Sequence, residues 1–317
     1  MLWIAVSLAV CSAIGLACGT HFQSLAVVSR SDGKLSLKQF GRVLRSPRWT
    51  LGLVLLGIGT VGNVLALSMA PVTVVQPIGV LGLVITTILH ARHVKIRITA
   101  TTWRAIALCI GGATFFVLTA VRYTDPAISI TDHASDVVTY LLAGLVVFVC
   151  LGMLLVKDRH RGLFYLFAAG SLYGFVAVEV KVITVQMQTG GGAWWQNIEY
   201  GNVAGLLLAA VLGGWLVQSA YASGPPELVM AGLTVVDPMI GVFVGLSVLG
   251  EAGPDFGPLA GTILAVCGAV SITGVRLLSK YHPEVLAKLA AARTPGTGQF
   301  GIVPGPQRAA PRDPSED

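Results

Sequence analysis

The stretch SLYGFVAVEVKVITVQM, residues 171–187, decides the fold. It is almost wholly apolar, and a helix needs about 20 such residues to cross the hydrocarbon core of a bilayer. Segment 163–186 supplies them. Yet it contains Glu179 and Lys181. Each would cost about 2.5–3.5 kcal/mol at the centre of an inserted helix. Their presence calls for a function or a partner.

The rest of the chain agrees with that segment. Of its 317 residues, 54% are hydrophobic and only 11% charged, with a mean hydropathy of +0.78. Soluble domains carry about 25% charged residues, so this chain cannot clothe a soluble surface. The 38 glycines suit helices that approach closely in lipid. An all-α integral membrane protein follows. Nine spans are expected, at 2–28, 49–70, 71–90, 103–121, 137–156, 163–186, 201–221, 226–250 and 257–279. Met69–Ala70–Pro71 separates the second from the third, and SGPPE, 223–227, the seventh from the eighth. The N-terminus lacks the basic region of a secretory signal, so the first segment is expected to be retained.

Charge sets the orientation. Nineteen of the 21 lysines and arginines fall in 30–48, 91–104, 157–161 and the tail from Arg276. With nine spans all nineteen lie on one side, which the positive-inside rule assigns to the cytoplasm. The N-terminus is then outside, the C-terminus inside, and the plasma membrane the expected location. The net charge of +6 is thus topological, and no nucleic acid partner is expected. Trp3, Trp49, Trp103, Trp194 and Trp195 sit at span ends, as in an aromatic belt. The five cysteines lie in apolar runs without paired spacing and read as small buried hydrophobes. Residues 281–317 form a cytoplasmic tail, a possible short helix followed by a stretch expected to be disordered.

Spans 1–4 and 6–9 read as two versions of one unit, repeat one at 2–121 and repeat two at 163–279, joined by a linking helix at 137–156. An odd number of intervening spans inverts one unit relative to the other, the design of many secondary transporters. The segments ALSMAPVTVVQPIGVLGLV (66–84) and QSAYASGPPELVMAGLTVVDPMIGVFVGLSVLGE (218–251) carry a resemblance. Ala220-Tyr221, Pro225-Pro226, Pro238 and Gly250-Glu251 are similar to the helix end, corner, later proline and closing pair of the drug/metabolite transporter superfamily. SLYGFVAVEVK resembles its sixth helix, which often holds a lysine near position 181. Common members have ten helices. With nine spans, and with APVTVVQPIG at 70–79, this chain is more similar to the magnesium-transporter branch found in animals. The resemblance implies a transporter.

Glu179 lies about a turn outward of the centre of span 6, and Asp237 lies mid-span in span 8, before Pro238. Proline removes a backbone donor and frees a carbonyl, so polar groups can gather there. Intramembrane acids usually line a bundle interior or a water-filled path. From the two repeats, these two could converge on one cavity. There they could ligate a cation, trade a coupling proton, or pair with a basic substrate group. The plain alternative is that Glu179 only fixes packing. A direct Glu179–Lys181 bond is poorly arranged, because residues two apart on a helix do not face each other. Lys181 is a further candidate, although outward snorkelling suits it better. His21, Gln23, Asn63 and Gln76 are weaker candidates. Gln218 reads as a helix–helix hydrogen bond, Glu227 as a charge at a helix N-terminus, and Glu251 as structural. The glycine pairs 15/19, 170/174, 201/205 and 241/245 read as packing sites.

No HExxH, GxSxG or Walker motif occurs, and no enzyme activity and no cofactor are expected. The first expectation is a secondary carrier of a small metabolite or drug-like solute, coupled to protons or cations. The alternative is a carrier of magnesium or another divalent cation. A non-transporting scaffold of an envelope pathway is the alternative of another class. The expected partners are the solute or cation, the lipid bilayer and, in an oligomer, a second copy of the chain.

Overall fold

The computed structural model describes residues 2–30, 35–69, 78, 81–95, 98–124, 130–156, 161–189 and 198–281. They form α1 (Leu2–Val28), α2 (Leu37–Leu44), α3 (Pro47–Met69), α4 (Leu81–Val94), α5 (Ala100–Tyr123), α6 (Asp132–Leu155), α7 (Arg161–Thr189), α8 (Tyr200–Ser223), α9 (Pro226–Ser247) and α10 (Pro258–Tyr281). No strand occurs among the described residues, and one isolated bridge joins Thr124 to Ala252. Eight helices, α1, α3 and α5 to α10, are long and apolar enough to cross a membrane. The chain is a multi-pass helical membrane protein.

Two differences from the sequence expectation stand out. The third expected span, 71–90, is described as a helix only over Leu81–Val94, 14 residues. Pro71, Gln76 and most of that corner lie outside the described residues, as do Trp194, Trp195 and the tail 282–317. The second difference is α2, which lies in the basic stretch 30–48, between the first two expected spans. Ser36 Oγ accepts from the Gln39 amide, and Gln39 Oε1 accepts from the Ser36 amide. That reciprocal pair starts a helix. Phe40, Val43 and Leu44 recur at helical spacing, and Val43 is buried, so one face of the short helix is apolar.

The bundle forms by close helix pairing. α1 packs along α3 and against α4, α7 packs along α8 and α9, and α5 pairs with α10. Small residues set the approach. A Cβ on Gly19 of α1 would stand 2.7 Å from the Gly52 carbonyl oxygen of α3. One on Gly174 of α7 would stand 2.8 Å from the Asp237 carbonyl oxygen of α9. The pairs 15/19 and 170/174 are therefore packing sites. The pairs 201/205 and 241/245 are not of this kind. Gly201 has no neighbour within 4 Å, and Gly245 lies against the Glu251 carboxylate.

α6 packs against α7 and α8 and leaves Val147, Phe148, Leu151 and Leu154 uncovered by protein. A patch of that kind on a water-facing helix would drive association; acyl chains cover it here without penalty. The SGPPE corner forms as its sequence implies. α8 ends at Ser223, Gly224 and Pro225 make the turn, and Pro226 opens α9, where its fixed φ suits a first helical position.

Candidate functional site

Glu179, on α7, is 0% exposed. Neither of its carboxylate oxygens has a hydrogen-bond partner among the described residues. A buried carboxylate without donors is costly, so this position is not explained by stability. The side chain faces α8 at a glycine: a Cβ on Gly205 would stand 3.4 Å from Glu179 Oε1 and 3.0 Å from Leu142 Cδ2 of α6. The carboxylate thus lies where α6, α7 and α8 meet.

Lys181 points elsewhere. In place of the outward snorkel, its Nζ donates to Glu251 Oε1 at 2.6 Å. Gly250 makes this possible. Its φ of +70° is a conformation that glycine adopts without strain. It turns the chain so that the Glu251 amide donates to the Gly245 carbonyl. The closing Gly-Glu pair is therefore a structural clasp between α7 and the end of α9.

Asp237 is half-buried on α9, immediately before Pro238 inside that helix. It lies within electrostatic reach of the Tyr173 phenol. Glu179 has a different charged neighbour, Glu199. Glu179 lies on α7 and Asp237 on α9.

The other candidates fall into two groups. Gln218 Nε2 donates to Gln23 Oε1 at 2.9 Å, both buried. This bond ties α1 to α8, and it gives Gln23 a packing partner. His21 stacks edge-on to His93, ring centroids 5.6 Å apart, with His90 and the fully buried Glu227 within electrostatic reach. Glu227 is more than a charge at a helix start. The signal in the sequence was HARHV, 90–94, whose two histidines share a helix face three residues apart. Asn63 is half-buried on α3, and Gln76 lies outside the described residues.

A cavity of about 480 Å³ opens between α5, α9 and α10, lined by Phe116, Met239, Phe243, Leu246, Phe256 and Leu264 among others. It is apolar and includes neither acid. Among the described residues no group of three or more His, Cys, Asp or Glu side chains is arranged to hold a metal ion. The chemistry available at mid-membrane is therefore single carboxylates, amides and hydroxyls.

The family model described as magnesium transporter NIPA matches residues 2–249. The chain belongs to the NIPA magnesium transporter family. That match reaches from α1 to the end of α9 and includes Glu179 and Asp237. An uncharacterized protein of Corynebacterium glutamicum is 27% identical over 257 residues, covering 78% of this chain and 85% of its own. A probable magnesium transporter of Candida albicans is 29% identical over 119 residues, 36% of this chain and 32% of that protein. No solved structure matches the NIPA-family chain. The family is one of membrane transporters, and its match backs the cation alternative better than a metabolite or drug cargo.

Proposed function

We propose that this NIPA-family protein carries a divalent cation, magnesium in the first instance, across the plasma membrane, and that Glu179 meets the cation within the bundle. The observation that carries the reading is the Glu179 carboxylate, fully buried with both oxygens unpartnered among the described residues. Burying an unpaired carboxylate opposes folding, and a passing cation is the partner that gives the residue a use. Magnesium dehydrates reluctantly, keeps several waters and needs only one or two carboxylates. A bundle without a three-ligand cluster among the described residues suits that ion better than one that must be stripped of water.

Asp237 serves as a second acid in this proposal, reached from the Tyr173 side, with Pro238 loosening α9 beside it. Two four-helix units, α1 with α3 to α5 and α7 to α10, rock against each other around these acids. The matching pairings α1–α3 with α7–α8, and α1–α4 with α7–α9, support that arrangement. The distribution of basic residues supports an outside N-terminus and a cytoplasmic C-terminus.

The test is magnesium uptake into proteoliposomes carrying a magnesium-sensitive dye. Wild-type protein should admit magnesium down its gradient, and Glu179→Gln should lose that flux while remaining folded. Flux of equal size in Glu179→Gln would remove the residue from the pathway. A substrate-dependent proton flux without magnesium entry would return the solute-carrier reading. No flux of either kind would favour a scaffold.

A further inference from the structure

Between α6, α7 and α8 a set of polar side chains closes on itself, toward the end of the bundle that the basic residues avoid. Ser135 Oγ donates to Glu199 Oε2 at 2.9 Å. It accepts from Asn202 Nδ2 at 2.7 Å and from Gln186 Nε2 at 3.3 Å. Thr139 Oγ1 donates to Asn202 Oδ1 at 2.8 Å, and the Glu199 amide donates to Gln186 Oε1. Ser135 and Asn202 are 2% and 1% exposed. Glu199 occupies the N-cap position of α8 yet makes no cap with its side chain. Its carboxylate reaches across to α6 instead.

Helix spacing connects this set to Glu179. The carboxylate of Glu179 lies beside Gly205 and Leu142. Thr139 precedes Leu142 by three residues, and Asn202 precedes Gly205 by three. The bonded Thr139–Asn202 pair therefore stands about 4.5 Å along the helices from the level of Glu179. Ser135 and Glu199 stand about one further turn away. Polar side chains thus follow one another from the rim of α8 to the unpartnered acid. Glu199 lies within electrostatic reach of Glu179, and among the described residues neither acid forms an ion pair. Glu179 is fully buried and Glu199 half-buried, and like charges oppose each other. A cation between them relieves both.

We propose that this column, from Glu199 through Ser135, Asn202 and Thr139, is an outer binding site and route by which a hydrated divalent cation reaches Glu179. The inference rests on the cation-transport reading and extends it. Hydroxyl and amide oxygens accept hydrogen bonds from the waters that magnesium retains, which an anion or an apolar solute would not use. The route assigns a task to α6. That helix, outside both four-helix units, supplies Ser135 and Thr139.

The test uses the full chain with its five cysteines replaced by alanine or serine, in right-side-out vesicles. Thr139→Cys is exposed to a small, cationic, membrane-impermeant thiol reagent, with and without magnesium. Ser135→Cys repeats the measurement a turn farther out, should Thr139→Cys fail to fold. The expected result is labelling from outside that magnesium slows. In the native background, Thr139→Val and Asn202→Leu should raise the KM for magnesium about fivefold with kcat little changed, the effect of one lost hydrogen bond. A thiol that stays unreactive at both positions, or reacts at a rate magnesium leaves unchanged, overturns the proposal. Protection by magnesium without magnesium flux would keep the site and remove the transport reading. Flux without protection would remove the site and keep transport.

Discussion

Lys181 Nζ lies 2.6 Å from Glu251 Oε1, and this bond separates the two charges of α7. Lys181 is clasped to the end of α9, whereas Glu179, two residues earlier, turns toward α6 and α8 with both oxygens unpartnered among the described residues. One charge of the pair is clasped to a neighbouring helix, and the other has no hydrogen-bond partner among the described residues.

The clasp predicts a stability effect that charge reversal repairs. The Lys181 side chain is 41% exposed and that of Glu251 15%, so the pair is not deeply buried. Exposed pairs contribute about 0.2–1 kcal/mol. Lys181→Met or Glu251→Gln should therefore lower Tm by a few degrees at most. Lys181→Glu with Glu251→Lys should recover most of the loss, while either reversal alone is worse than the neutral variant. Thermal unfolding of the wild type and these five variants in detergent checks this. A double reversal no better than the single ones would mean that the contact contributes no pairing energy.

Glu179 predicts the opposite sign. Replacing a buried, unpartnered carboxylate by an apolar residue of similar size removes a desolvation cost, and comparable replacements of buried ionic groups are neutral or stabilising by about 1–4 kcal/mol. Glu179→Leu and Glu179→Gln should have a Tm equal to or above that of the wild type. In the cation-transport proposal both lose magnesium flux. The combination of higher Tm and lost flux is the signature of a site kept for activity at the expense of stability. A marked fall in Tm for both variants would place Glu179 in the packing instead.

The membrane class and most of the helices were legible in the sequence because apolar length is a strong signal. The SGPPE corner was legible too, because proline and glycine have few alternatives there. α2 was not, since a capping box and three apolar residues are a short pattern inside a basic stretch. At the site, Glu179 and Asp237 were visible as charges in apolar runs, but their surroundings were not. Spacing along one helix says nothing about which helix lies opposite. The Lys181–Glu251 bond joins residues 70 apart, and the Ser135–Asn202 bond joins residues 67 apart. The polar residues of that set are common types near span ends, and only the meeting of α6, α7 and α8 makes them a group.

The buried amide pair predicts a cycle of mutations. Gln23 and Gln218 bond at 2.9 Å between α1 and α8. Removing one amide leaves the other without its partner, whereas removing both leaves an apolar contact. Gln23→Leu and Gln218→Leu should each destabilise by about 1 kcal/mol, toward the upper end of side-chain hydrogen bonds between membrane helices. The double variant should be close to wild type in Tm. Simple addition of the two losses would show that each glutamine acts alone.

The glycines of α7 and α9 predict a difference that sequence spacing alone would not give. A Cβ on Gly174 would stand 2.7 Å from Ile240 Cβ and 2.8 Å from the Asp237 carbonyl oxygen, while one on Gly241 would have only the Gly174 carbonyl oxygen, at 4.0 Å. Backbone cannot move aside as a flexible side chain does, so Gly174→Ala must push α9 away from α7. Overpacking of this kind costs about 1–3 kcal/mol. Gly241→Ala meets open space and replaces a poor helix former by the best one, a gain of up to about 1 kcal/mol. Gly174→Ala should lower Tm, and Gly241→Ala should leave it unchanged or raise it. Equal effects at the two positions would mean that the close approach of α7 and α9 at Asp237 is not what the glycine provides.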